Sequence, residues 1–425
     1  MQDSDRTLTR RDTAVRRMPR TLMAFEVTAF RWLWGSFLFG SMSMSVRMLA
    51  QGWLVLEITD SPFWVGAIAG IQGLGLVGFG AFGGTIVERY DKRFVLGVVY
   101  FFGFVISGLT GFLAITGQIQ LWHMAPIALT QGMLMGTQLP ASNVLAYQIV
   151  GPERLLNAMA SRLMAMNISR VIGSLIAGAL IHNFGVGSSY LLAASGSAVG
   201  LAFLLVIRGD FRAAPQREPF WQSTGQGLRY AWRNSAIRRL LFLSLLMEAF
   251  GFSHLVMMPV MARDVLNVGA TGLGYLSAAS GLGSMLSTLG VASLGDFRRK
   301  GPLLAFTTLG AGVSIVLFAY SPVFALSLLM AGLAGGSLMA YDVTMGTMLQ
   351  LHCDDDMRGR VLGIYGLTFG FTSVGGSLAG AVATVINPPF AVAMGGVFIT
   401  LYIGATFRSA LRLDRSARRK QWRRT

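Results

Sequence analysis

Gly84-Thr85-Ile86-Val87-Glu88-Arg89-Tyr90-Asp91-Lys92-Arg93 joins two long apolar segments and is the first dense cluster of charge after the amino-terminal arm. A weaker copy, Gly295-Asp296-Phe297-Arg298-Arg299-Lys300-Gly301, stands about half a chain later, again between apolar segments. Two charged hinges of this kind, each between segments long enough to cross a bilayer, predict a duplicated membrane protein.

The composition agrees. Hydrophobic residues make up 53% of the 425 positions and charged residues only 13%, whereas a soluble fold carries about a quarter charged residues. Apolar runs of about 20 residues recur along the chain, the length of helix that crosses a hydrocarbon core of ~30 Å. The net charge of +16 does not point to nucleic acid, because of where it sits. All Lys and Arg except Arg47, Arg170 and Arg263 fall in the arm to Arg31, at 89–93, 154–162, 208–239, 298–300 and 358–360, and from Arg408 onward. Every second connection is therefore almost free of them. That is the positive-inside bias of a helical bundle with both termini in the cytoplasm, and the basic tail extends it towards anionic lipid headgroups. The single Cys353 excludes a disulfide framework and a cysteine-based metal site. The first residues are polar and Arg-rich, with no cleavable signal pattern.

The hydropathy pattern predicts an all-α membrane protein of twelve transmembrane helices. A cytoplasmic arm, 1–29, precedes a first six-helix half at 30–207, with helices at 30–56, 63–87, 94–116, 121–149, 156–182 and 190–207. A polar linker at 208–239 contains a candidate amphipathic surface helix at 222–232, with Trp221 and Trp232 at headgroup depth. The second half, 240–407, has helices at 240–261, 272–294, 303–320, 323–349, 361–386 and 390–407, and a basic tail occupies 408–425. Internal similarity supports the division: Ile172-Gly173-Ser174-Leu175-Ile176-Ala177-Gly178-Ala179 is echoed by Val374-Gly375-Gly376-Ser377-Leu378-Ala379-Gly380-Ala381. Small residues at this spacing let helices approach closely where lipid supplies no hydrophobic drive.

With these features the chain resembles the major facilitator superfamily. The signature between its second and third helices is a Gly, an acidic residue four positions on, and a basic cluster; Gly84, Glu88, Arg89, Lys92 and Arg93 match it. Asp296 and Arg298 belong to the degenerate copy, and the resemblance runs over 30–407. Within the superfamily the chain is similar to the bacterial branch of enterobactin exporters and macrolide-efflux-like proteins, through Gln51-Gly52-Trp53-Leu54-Val55-Leu56-Glu57, Leu139-Pro140-Ala141, Gly227-Leu228-Arg229-Tyr230 and Arg358-Gly359-Arg360-Val361. Glu88 stands where Asp is usual, Ala128 where many antiporters have Arg, and Ser174 where the antiporter motif has Pro. The resemblance implies that Glu88 meets the start of the eleventh helix beside Arg358 and latches the cytoplasmic side in the outward-open state. It also implies that Arg89 and Arg93 pair with acids of the inner face.

Ionisable residues at membrane depth are costly and point to function. Arg47 lies in a polar stripe with Gly40, Ser43 and Gln51; Gln131, Gln138 and Ser142 form a second; Glu248 and Asp342 lie mid-helix. The resemblance implies that the helices carrying them line a central cavity. Two readings of Arg47, Glu248 and Asp342 stand side by side: a proton-coupling group, or a static Arg–carboxylate pair holding the halves in register. His254 and Arg170 are expected to be structural, and Met42, Met44, Met48, Met133, Met135, Met257, Met258 and Met261 to fill core or adapt to an apolar ligand. No phosphate-cradling loop or metal-ligand spacing is present, so no cofactor, metal or enzymatic activity is expected. The expected function is proton-coupled export of a small amphiphilic molecule, a drug, siderophore or metabolite, by a monomer in the bacterial inner membrane. Its partners would be substrate, protons and lipid, but no nucleic acid. Lipid or lysolipid translocation, nutrient uptake and a non-transporting receptor are the alternatives.

Overall fold

A computed structural model describes residues 20–209, 211, 220–294 and 299–422, without the side chains of 20–22, 81–88, 220–223 and 407–422. Every regular element among the described residues is helical. In chain order these are α1 (Thr28–Thr59), α2 (Pro62–Arg89), α3 (Lys92–Ile115), α4 (Leu121–Val150), α5 (Leu155–Phe184), α6 (Val186–Val206) and α7 (Phe220–Arg233). Then come α8 (Ser235–Leu246), α9 (His254–Val260), α10 (Gly269–Ser293), α11 (Lys300–Ala319), α12 (Phe324–His352), α13 (Arg358–Thr368), α14 (Phe371–Val385) and α15 (Pro388–Trp422). Two π-helical stretches, Met247–Phe252 and Met261–Val265, flank α9, which holds Pro259. Proline lacks the N–H and crowds the preceding turn, so the expected single helix at 240–261 is continuous but irregular.

Nine stretches among the described residues are long and apolar enough to cross a membrane. Of the twelve spans expected, α1, α4 and α10 are not in that set. Their lengths, 32, 30 and 25 residues, are ample at 1.5 Å of rise per residue. What lowers their hydropathy is composition: Arg47 and Gln51 in α1, His123, Gln131 and Gln138 in α4, and the Gly and Ser of α10.

The chain turns where local chemistry ends a helix. Asp91 caps α3, its Oδ1 accepting from the N–H groups of Arg93 at 2.8 Å and Phe94 at 3.2 Å, while Oδ2 accepts from the Phe211 N–H at 3.0 Å. Asp91 thus ties the charged hinge to the end of the first helical group. Gly151, at φ +73°, closes α4 in a conformation that favours glycine.

Helices α1 to α6 pack among themselves, α2 on α4, α3 on α6, and α1 on α5 and α6; α10 packs on α12, and α11 on α12 and α15. The most extensive contacts between the groups are α5 with α10 and α2 with α14, with smaller ones from α1 and α2 to α9. The repeated glycines lie at these crossings. A Cβ on Gly178 would stand 2.7 Å from Ala270 O and 2.9 Å from Gly274 Cα, and one on Gly380 would stand 2.6 Å from Pro62 O and 3.1 Å from Gly66 Cα. The packing role expected of the two echoed segments is therefore met at equivalent positions, and it is exercised between the groups.

The buried apolar residues show how far the groups are joined. At the end of the bundle away from the charged hinges, Leu54 and Leu56 of α1, Ile181 of α5, Met257, Met258 and Met261 around α9, and Leu273 of α10 belong to one continuous core. The methionines around α9 are core residues rather than ligand-facing ones. At the hinge end the core divides. Phe30, Leu33, Leu96, Leu145 and Leu204 form one cluster, and Ile237, Leu240, Leu304, Met348 and Val361 another. The bundle is closed at one end and split at the other.

Three expectations about boundaries are corrected. The arm does not remain free up to the first span: Arg20–Glu26 forms a 3-10 helix. Ala24 is fully buried, its N–H donates to Asn157 Oδ1 at 3.3 Å, and Glu26 pairs with Arg154 at 3.0 Å. Phe25 sits edge-on to Phe30 and Trp34. The expected helix at 361–386 breaks between α13 and α14, where a Cβ on Gly370 would collide with Val77 of α2. The last helix runs on to Trp422 through what was expected to be a separate tail.

The linker helix α7 packs on α13. The Tyr230 hydroxyl donates to Asp354 Oδ2 at 2.8 Å and accepts from the Asp354 N–H at 3.1 Å. Partial burial, together with the Asp354 charge, pushes the Tyr230 phenol above its ordinary value, so the donor persists at physiological pH.

Candidate functional site

Two polar clusters face different parts of the bundle. The first surrounds Glu248, which is 3% exposed and lies in the π-helical turn Met247–Phe252. Such turns are frequent at functional sites, because the extra residue re-aims side chains that a regular helix would stack. Glu248 accepts a hydrogen bond from the Thr372 hydroxyl of α14. Asp342 of α12 accepts one from the Tyr365 hydroxyl of α13. Beside them the Ser244 and Thr368 hydroxyls are 2.7 Å apart. The approach of α14 requires Gly375, where a Cβ would stand 1.7 Å from Ala249 O.

The hydroxyl partners of the two carboxylates, Tyr365 and Thr372, lie on opposite sides of the α13–α14 break, and Gly370 in that break abuts Val77 of α2. The carboxylates are thus bonded to the segment that touches the other helical group. A proton arriving on either one would remove its charge and change what it can accept from Thr372 or Tyr365. That change would be felt at the junction between groups.

The second cluster surrounds Arg47. Its Nη1 approaches Ser107 Oγ of α3 at 3.4 Å, and it lines a narrow cavity with Gly40, Gln72, Tyr100, Gln131 and Gln138. The structure therefore brings Arg47, Gln131 and Gln138 together and places Glu248 and Asp342 elsewhere. Among the described residues no ion pair joins Arg47 to either carboxylate. The static Arg–carboxylate pair is absent here because Arg47 reaches α3 within its own group, while each carboxylate is met by a hydroxyl.

The remaining expected residues are spread out. His254 is buried, with Nδ1 at 2.5 Å from Gly251 O. The stem of Arg170 lies against Gly281 of α10, whose added Cβ would be 3.2 Å from Arg170 Cγ. Arg162, which the sequence placed only in a basic run, donates to Asn143 Oδ1 and stands 5.5 Å over the Phe37 ring. Arg358 pairs with Asp355 at 2.6 Å. Among the described residues Arg93 donates to the Ile207 carbonyl. Lys92 is buried, its Nζ 3.0 Å from Tyr90 O, and Arg89 is exposed at the end of α2. The surroundings of Gly84 and Glu88 lie outside the described residues, as do Asp296 and Arg298, so the latch between Glu88 and Arg358 stays an expectation. Among the described residues no cluster of His, Cys, Asp and Glu has the make-up of a metal site.

Sequence reasoning missed the contact that spans the closed end. Arg263, which pairs with its chain neighbour Asp264, also donates from Nη2 to Asp60 Oδ1 at 2.5 Å and from Nη1 to Leu56 O at 3.0 Å. Asp60 and Leu56 belong to the end of α1, so Arg263 bridges the two helical groups. Asp60 holds a left-handed φ of 50°, which turns it towards the bridge. The Asp60 carboxylate is largely exposed, so the pair is screened and the bridge contributes about 1 kcal/mol at most. Arg263→Ala should therefore shift the balance towards an open far end by about fivefold. The labelling rate of a cysteine placed at the far end would measure it, and an unchanged rate would remove the bridge from the gate.

The family model described as "Transmembrane secretion effector" matches residues 20–423. A curated relative, the enterobactin exporter EntS of Escherichia coli O1:K1 / APEC, is 24% identical over 383 residues, covering 88% of this chain and 90% of the relative. Among solved structures, the nucleoside transporter NupG superposes with a TM-score of 0.70 at 14% identity, covering 91% of this chain and 98% of that one. A bacterial homolog of the human lysosomal transporter Spinster, solved inward-facing and unoccupied, gives 0.68 at 13% identity, covering 95% and 98%. These likenesses carry the fold.

Proposed function

Because this chain belongs to the transmembrane secretion effector family of the major facilitator superfamily, and is thereby a multi-pass membrane transporter, we propose that it exports a small amphiphilic molecule in exchange for protons. In this reading α1, α4 and α10 complete twelve spans, arranged as two six-helix halves that rock about a central site. The Lys and Arg distribution supports a reading in which both termini and the charged hinges lie in the cytoplasm of a bacterium, under its inner membrane. The split end of the bundle then faces the cytoplasm, and the closed end, sealed by the α5–α10 and α2–α14 crossings and bridged by Arg263, faces outward. The conformation is the one that loads cargo from inside.

The observation that carries the coupling is the placement of Glu248 and Asp342. Both are bonded to hydroxyls on either side of the α13–α14 break, and no cation is paired with them among the described residues. A carboxyl at membrane depth is held most cheaply when neutral. The outward-open state would wet Glu248 and let it take a proton; cargo entering from the cytoplasm would follow the proton's release. The curated relative named as an enterobactin exporter supports export and a siderophore-like cargo. The test is cargo movement in proteoliposomes with an imposed pH gradient. Movement against the cargo gradient only while the pH gradient lasts is the expected result, and a rate indifferent to the gradient would reduce the protein to a facilitator.

A further inference from the structure

The Arg47 cavity has a chemistry of its own. It is narrow, about 20 Å³, room for roughly one water molecule or one small polar group. Its hydroxyls are already spent on internal acceptors: Ser43 donates to Ala193 O at 2.6 Å, and Tyr100 to Ser36 O at 3.1 Å. Two donor groups stand out. Among the described residues the Arg47 guanidinium makes one hydrogen bond, the long contact with Ser107. Gln131, 4% exposed, presents a side-chain amide nitrogen that finds no acceptor among the described residues. No carboxylate lines the cavity. A permanent cation and an orphaned donor beside a space without an acid carry a buried electrostatic cost that an incoming anion would relieve. Gly40 makes room for the Tyr100 ring that walls the cavity, and a Cβ on Gly103 would stand 3.5 Å from Arg47 Nη1. The rim of the same cavity is apolar and pliable: Met44, Met135 and Met48, the last 52% exposed.

We propose that the Arg47 cavity is an anion subsite which takes the carboxylate, or another small acidic head, of the carried amphiphile while Met44, Met48 and Met135 receive its apolar body. This rests on the reading of the protein as a carrier of an amphiphile, and it adds the sign of the cargo's charge. A guanidinium suits a planar acidic head because two parallel N–H donors meet its two oxygens. The carboxylates Glu248 and Asp342 stay free to handle protons, so cargo and proton use separate groups.

The test uses one ring system with three heads: 2-naphthoate, 2-naphthylmethanol and 2-naphthylmethylammonium, with inorganic phosphate as a fourth probe. Binding is measured by thermal shift and calorimetry on the full chain in nanodiscs. Naphthoate is expected to bind at least about tenfold more tightly than the alcohol, one charge-assisted bond being worth that much, and the ammonium more weakly still. Arg47→Gln should erase the preference and Arg47→Lys should keep part of it. Equal binding of the three heads, or a preference that survives in Arg47→Gln, overturns the subsite. Phosphate that displaces naphthoate as well as naphthoate itself overturns the assignment to an amphiphile. Should Arg47→Gln not fold, the wild-type series and Arg47→Lys decide the matter alone. Flux separates the two readings: preferential binding of naphthoate with no gradient-driven movement of it refutes the exporter and leaves the subsite standing.

Discussion

Glu248→Gln should reduce gradient-driven export to the level of protein-free vesicles while cargo-for-cargo exchange continues. Glutamine keeps the shape of the protonated acid and can still meet the Thr372 hydroxyl, so the fold and the π-helical turn at Met247–Phe252 survive. What it cannot do is gain or lose the proton. A coupled exporter then retains both conformations and loses only the force that biases them. Asp342→Asn should be milder, because Asp342 is less deeply buried than Glu248 and its bond to Tyr365 reaches the far side of the same break. Loss of exchange together with driven export in Glu248→Gln would make Glu248 a structural group, and full retention of driven export would exclude it from coupling.

Gly178→Val should jam the outward face open. The position has no room for a Cβ, since Ala270 O and Gly274 Cα stand on either side and both are backbone. No rotamer change relieves the clash, so α5 and α10 must separate. Overpacking of this kind costs about 1–3 kcal/mol; charged against the closed state alone, it shifts the balance about 5- to 150-fold. Ala262, fully buried in the closed-end core, reports on it. In a background where the lone Cys353 is replaced by Ser, Ala262→Cys should be nearly inert to a membrane-impermeant thiol reagent, and adding Gly178→Val should make it react quickly. Gly380→Val, at the equivalent crossing of α14 with α2, should act the same way. Equal protection in all of these variants would show that the crossings are not what seals that end.

Much of this was legible in the sequence, and the reason differs from residue to residue. The helices announce themselves by length and hydropathy. The glycines of the echoed segments at 172–179 and 374–381 could be read as close-approach positions because only crowding explains such residues in an apolar helix. Helical spacing showed two separate polar stripes, Arg47 on α1 and Gln131 and Gln138 on α4; that they line one cavity was implied by the resemblance alone. The direction in which Arg47 points did not, because Ser107 lies on α3, 60 positions away, and no local pattern encodes that contact. Arg263 was misjudged for the same reason: Asp264 is its neighbour in the chain, whereas Asp60 is its neighbour in space. The α13–α14 break had a visible signal in Gly370, but helices carry many glycines, and the close approach of Val77 of α2 that makes a glycine necessary here is not encoded locally. The packed Arg20–Glu26 turn was hidden by its charged flanks, although Phe25 and Phe30 offered a short apolar anchor.

The exchange of cargo for protons is tested most directly by following the protons. Proteoliposomes holding the purified protein and a pH-sensitive dye, with no gradient imposed, receive a pulse of carried compound on one side. The account predicts a proton flux opposite to the cargo, arising with the cargo flux, absent in Glu248→Gln and preserved in Arg263→Ala. Cargo crossing at its full rate with no movement of protons would contradict it.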